Sequence, residues 1–115
     1  MRVNYGQTVH GEDEIEAVVR VLRSSTQMGK HVREMQERVA ALFDKRHGIM
    51  VNSGSSANFI AVALLDLPKG SQVITPALTF ATAVSPIVQH GLVPAIIDVT
   101  PGTYNADVGQ IEAMI

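Results

Sequence analysis

Between Gly48 and Val99 the sequence alternates short apolar runs with stretches of helical periodicity, and this alternation limits the fold more than any other feature. Gly48 to Val51 suits a strand. Gln72 to Thr75, with β-branched Val73, Ile74 and Thr75, suits a second strand that Pro76 ends. Val93 to Val99, with Ile96 and Ile97 at its centre, is the clearest strand of the chain. Of the intervening helices, the first carries Phe59, Ile60, Val62, Leu64 and Leu65, apolar nearly all round, which predicts a buried helix. The second carries Phe80, Ala83, Val84, Ile87 and Val88 at i, i+3, i+4, i+7 and i+8. Pro86 lies inside this stripe, so either the helix kinks or its regular part starts only around Thr82. Gly91 is a natural left-handed cap for its end. Apolar runs too continuous for a half-exposed hairpin, separated by helices, argue for an α/β domain with parallel strands and right-handed crossovers.

The segment before Gly48 reads differently. After a polar start at Asn4, Tyr5, Gly6 and Gln7, acidic Glu12, Asp13 and Glu14 suit the first turn of a helix, where the dipole favours negative charge. Ile15, Val18, Val19 and Leu22 follow at helical spacing, ending near Arg23. Ser24 to Gly29 is a breaker-rich connection, and from Lys30 a second one-sided stripe runs through Val32, Met35, Val39, Leu42 and Phe43. The expected organisation is an N-terminal helical segment, 1–46, and a βαβαβ portion, 47–115. A last helix opens at the capping-box-like pair Asp107 and Gln110, carries Val108, Ile111 and Ile115, and is unfinished at Ile115. A sheet of three strands with both edges unpaired would be small, so the chain is expected to be the front portion of a larger domain.

Between the first strand and its helix stands Asn52-Ser53-Gly54-Ser55-Ser56-Ala57-Asn58, small and rich in hydroxyls. The first amides of a helix have no intrahelical partner, and with the helix dipole they favour an anion, for which phosphate is the obvious candidate. A plain serine N-cap explains the same residues. The turn lacks the lysine of a Walker phosphate loop and the glycine spacing of a dinucleotide fingerprint. It is no nucleophile elbow either, because Asn58 stands where that motif demands glycine. Phe80, just past Pro76, could reach the same rim of a parallel sheet as Ser55 and stack on a flat heterocycle. Periodicity alone favours the plainer role, in which Phe80 is the first residue of its helix's core stripe.

Other chemistries find little support. Net charge is −2, without the basic footprint of a nucleic-acid binder. There is no cysteine, hence no disulfide framework or thiolate site. His10, His31, His47 and His90 are scattered without metal-ligand spacing and read as surface or loop residues, so no metal is expected. The start lacks the basic head and apolar core of a signal peptide, and Phe59 to Leu65 is far too short to span a bilayer. A soluble, cytoplasmic protein without membrane or nucleic-acid partners is expected.

Several ordered motifs together resemble the start of the DegT/DnrJ/StrS family of pyridoxal-phosphate-dependent sugar aminotransferases. They are Asn-Ser-Gly-Ser-Ser-Ala (52–57), Gly-Ser-Gln-Val-Ile-Thr-Pro-Ala-Leu-Thr-Phe (70–80), Gly-Leu-Val-Pro (91–94), and Ile-Asp-Val with Thr-Tyr-Asn after it (97–105). The resemblance runs from Gly11 to Ile115. It implies the type I (aspartate-aminotransferase-like) fold, with this chain as the N-terminal part of the large domain, and pyridoxal 5'-phosphate as cofactor. It also implies a homodimer whose active sites are completed by the other subunit, a nucleotide-linked sugar as substrate and an amino acid as amino donor. Residue by residue, it assigns Gly54, Ser55 and Ser56 to the cofactor phosphate, Gly54 permitting close approach, and Phe80 to the face of the pyridine ring.

The same resemblance places the Schiff-base lysine, the aspartate facing the pyridine nitrogen and further phosphate contacts beyond Ile115. No catalytic residue is therefore nominated. Lys30, Lys45 and Lys69 match no catalytic motif, Asp98 is a strand-end residue, and Ser25 to Gly29 resembles a loop near the sugar-nucleotide site without any single assignment. The implied activity is transfer of an amino group to a nucleotide-linked ketosugar, and the 115-residue chain is expected to be inactive alone. Ser-Gly-Ser-Ser-Ala-Asn, Thr-Phe-Ala-Thr and Ser-Pro-Ile equally resemble a branch in which histidine replaces the lysine and the enzyme dehydrates a nucleotide-linked ketodeoxysugar at C3. A third possibility is a non-catalytic truncated relative that binds a phosphate ligand or a subunit partner.

Overall fold

The computed structural model describes residues 3–4, 6–27 and 29–115; the readings made at Tyr5 and Met28 lie outside the described residues. The chain divides into two compact units, Met1–Met50 and Val51–Ile115.

In the first unit, α1 (Glu12–Ser24) opens with Glu12, Asp13 and Glu14 and ends with Arg23, matching charge to dipole at both ends. Glu14 Oε2 accepts the Gly11 N–H at 2.7 Å, satisfying one amide that the helix itself leaves open. This hydrogen bond, followed by one from the Glu14 amide, holds the Glu14 carboxyl below its ordinary pKa. α2 (Lys30–Leu42) carries an exposed Arg38–Glu34 pair at 2.6 Å, of the i, i+4 kind that contributes little to stability. Its chain exit is tight: Lys45 N donates to Ala40 O at 2.8 Å, and a Cβ on Gly48 would stand 2.6 Å from the Gln36 carbonyl oxygen. Only a glycine lets these two backbones approach so closely.

The second unit is α3 (Gly54–Leu64), β1 (Gln72–Pro76), α4 (Ala81–Gln89), β2 (Val93–Ile97) and α5 (Gly109–Met114). β1 and β2 pair in parallel from Gln72↔Val93 to Pro76↔Ile97, with α4 as the crossover. Pro76, which has no N–H, takes the last ladder position, and Ala77 N donates to Ile97 O instead. The core lies between α4 and the strands: Thr75, Pro86, Ile87, Leu92, Ala95 and Ile97 are buried. Gly91 has φ +75°, its amide donates to Val88 O, and Leu92 N donates to Ile87 O. These are the paired bonds of a Schellman cap, as the glycine suggested.

Several expectations need correction. Gly48 to Val51 is not a strand, because an extended run becomes one only by pairing and no described strand lies beside it. The pairing of β2 stops at Ile97; Val99 instead forms an isolated antiparallel bridge with Ala106. α3 buries no residue, since within its unit the helix packed against it is α4, and Leu64 and Leu65 are left exposed. The start of α4 at Ala81, with Pro86 inside the helix, by contrast agrees with the start expected around Thr82. Gln110 does not complete a reciprocal box with Asp107: its Nε2 donates to Asp107 Oδ2 while its Oε1 accepts from Asp98 N, tying the exit of β2 to α5.

Candidate functional site

Ser53 is the N-cap of α3, extended at φ −161° and ψ 159°, and its Oγ accepts the Ser56 N–H at 3.1 Å. Its carbonyl accepts from Ala57 N. The Ser56 hydroxyl donates to Asn52 Oδ1 at 2.7 Å, and the Ser53 hydroxyl donates to Ser56 Oγ at 3.1 Å. Asn52, Ser53 and Ser56 thus brace one another, and both Ser56 donors are engaged within the turn. Among the described residues the amides of Gly54 and Ser55 have no acceptor, and neither has the exposed Ser55 hydroxyl. A Cβ built on Gly54 meets no atom within 4 Å, so the space on the side-chain side of this residue is open. No acidic residue occupies the first turn of α3, which leaves the positive end of its dipole uncompensated. The arrangement can bind an anion through Gly54 and Ser55 without rebuilding the turn.

Phe80 is the N-cap residue of α4 and is 74% exposed. The buried stripe of that helix is carried by Pro86 and Ile87, so Phe80 is not the first member of a core stripe. Its ring is available to a planar ligand. α3 and α4 pack against each other, so the serine turn and Phe80 begin two adjoining helices of one unit. The Asn58 side chain links them, its Nδ2 donating to Thr82 O at 3.4 Å. At the far end, His90 caps α4 and meets the Phe59 ring edge-on, with centroids 4.4 Å apart at 84°.

Asp98 is held in the turn after β2, its Oδ1 accepting from Val99 N at 2.7 Å. Lys30 opens α2, Lys45 follows it, and the Lys69 side chain lies beside Gly91. Sequence reasoning gave no role to Asn52, Asn58 or His90. The signal for Asn58 was present: a proline six residues into a helix leaves a carbonyl without its helical donor, and some group has to face it.

The sequence profile of the DegT/DnrJ/EryC1/StrS aminotransferase family matches residues 8–115. The chain belongs to this family. A DegT/DnrJ/EryC1/StrS relative from Saccharopolyspora spinosa, dTDP-4-dehydro-2,6-dideoxy-D-glucose 3-dehydratase, is 37% identical over 96% of this chain and 26% of its own length. GDP-perosamine synthase of Caulobacter vibrioides is 28% identical over 76% of this chain and 24% of its own length. Among solved structures, Escherichia coli GDP-4-keto-6-deoxy-D-mannose-3-dehydratase with bound hydrated PLP superposes with a TM-score of 0.89 at 29% identity, covering all of this chain and 32% of that one. The fold is thus that of one portion of a type I, aspartate-aminotransferase-like enzyme. The chain spans about a quarter to a third of the length of these relatives.

Proposed function

We propose that this chain is the cofactor-phosphate portion of a pyridoxal 5'-phosphate enzyme that acts on a nucleotide-linked ketosugar, with an amino acid as the amino donor. The observation that carries this reading is the pair of unengaged amides at Gly54 and Ser55 at an uncompensated helix N-terminus, beside a glycine whose side-chain position is open. Those donors suit a phosphate monoester. Gly54 N and Ser55 N would donate to its oxygens, with the Ser55 hydroxyl as a third donor. Asn52, Ser53 and Ser56 keep the turn in shape, and Ser56 joins the phosphate only by giving up Asn52 or Ser53. Phe80 would lie on the ring face and keep water from it. When bound, the cofactor supplies the electron sink that amino-acid side chains lack.

Within the family, transfer of an amino group is the first reading, and the protein is taken as a cytoplasmic homodimer. Among the described residues no helix is long and apolar enough to cross a membrane. The 3-dehydratase reading has its own support, since the 37%-identical relative and the solved structure at TM-score 0.89 are both 3-dehydratases. The protein containing this chain, supplied with pyridoxal phosphate, an amino-acid donor and a nucleotide-linked 4-ketosugar, distinguishes the two. An aminosugar together with a 2-oxo acid from the donor marks the aminotransferase, whereas a 3-deoxy product marks the dehydratase. Failure to bind pyridoxal phosphate would remove both.

A further inference from the structure

Pro86 has no N–H, so the carbonyl four residues earlier, at Thr82, lacks its helical donor, and the proline ring crowds that carbonyl as well. Thr82 lies in the first turn of α4, two residues after Phe80. The group that meets this carbonyl is the Asn58 carboxamide, 3.4 Å away, from the second turn of α3, three residues after Ser55. The Phe59 ring meets His90 at the far end of α4 and so does not set the two N-termini against each other. A carboxamide aimed at one carbonyl does.

We infer that Asn58 is a positioning residue: by supplying the donor that Pro86 withholds from Thr82, it sets the phosphate donors of α3 at a fixed place relative to the Phe80 ring. The inference rests on the proposed cofactor role of Gly54, Ser55 and Phe80. Asn58 and Pro86 then act as one device, with proline withholding a donor in α4 that a side chain from α3 supplies. A ligand that spans both helix starts depends on the device. A ligand that touches α3 alone does not.

The test is a double-mutant cycle in the full-length protein, titrated separately with pyridoxal phosphate and with inorganic phosphate. Asn58→Ala should weaken pyridoxal phosphate by about three- to tenfold, the range expected for one lost hydrogen bond, and leave inorganic phosphate unchanged. In a Pro86→Ala background residue 86 regains an N–H for Thr82, and Asn58→Ala should then have at most a twofold effect on pyridoxal phosphate, on the order of the residual non-additivity of uncoupled sites. Equal losses for both ligands, or the same loss in both backgrounds, would overturn the inference. Phe80→Ala in the same titrations separates it from the reading beneath it. If Phe80→Ala weakens pyridoxal phosphate and Asn58→Ala does not, the positioning role falls and the cofactor site stands; if neither does, both fall.

Discussion

Before Met50, Ile15, Val18 and Leu22 on α1, and Met35, Val39, Leu42 and Phe43 on or just after α2, all stay exposed; among the described residues there, Ala40 alone is buried. After Val51, an equally regular apolar stripe on α4 lies against β1 and β2 and buries Pro86, Ile87, Leu92, Ala95 and Ile97. The periodicity of the sequence is comparable in the two regions, but the burial differs. A stripe dictates which face of a helix is apolar, whereas burial requires a second surface, and the parallel strand pair gives α4 one within the unit.

The largest effect expected from this difference is at Ile87, 2% exposed: Ile87→Ala should cost about 3 kcal/mol in chemical denaturation, a removed side chain plus the cavity it leaves. Leu22→Ala, at a site 64% exposed, should cost about 0.5 kcal/mol or less. Equal losses at the two sites would break the comparison. Gly48 sharpens it, because it is a tightly fitted point in the loosely packed region. Gly48→Ala drives a Cβ toward the Gln36 carbonyl and should cost about 1–3 kcal/mol, as over-packing does; an unchanged denaturation midpoint would mean that the α2 exit adjusts freely.

The smallest effect is a pH dependence in α1. The Glu14 carboxyl is lowered by the Gly11 amide, so its contribution to helix stability is present above the ordinary glutamate range and is lost as pH falls through the depressed folded value. Glu14→Gln should flatten α1 helicity against pH in that acid window, followed by circular dichroism. A mutant profile parallel to the parent would show that Glu14 does not cap the helix.

What could be read from the sequence follows the range of the physics. Helix starts at Glu12 and Lys30, the Gly91 cap and the parallel β1–β2 pair depend on neighbours in sequence or on one apolar run meeting the next, and they formed as the pattern implied. Gly48 to Val51 has strand chemistry but no partner among the described residues, and pairing is a property of two segments. The all-round apolar α3 signalled burial, yet its exposed Leu64 and Leu65 show that composition does not supply a cover. At the site, the serine turn was legible as an N-cap and phosphate candidate. The division of labour within it, Ser56 bracing and Gly54 and Ser55 unengaged, depends on side-chain rotamers that the sequence does not state. Asn58 was legible only through its counterpart, Pro86, four residues beyond the carbonyl it meets.

The central claim is that the Gly54 amide is a ligand donor rather than an idle helix end, and Gly54→Pro tests it with little disturbance to the fold. Proline is favoured at the first helical position, Ser53 before it is already extended, and a Cβ there meets nothing. The substitution therefore removes one N–H while keeping α3, and Gly54→Ala controls for the added carbon. In a titration of the full-length protein with pyridoxal phosphate, Gly54→Pro should bind about tenfold or more weakly than Gly54→Ala, the range of a hydrogen bond to a charged group, with all three proteins melting alike. Unchanged affinity in a folded Gly54→Pro protein would contradict the account.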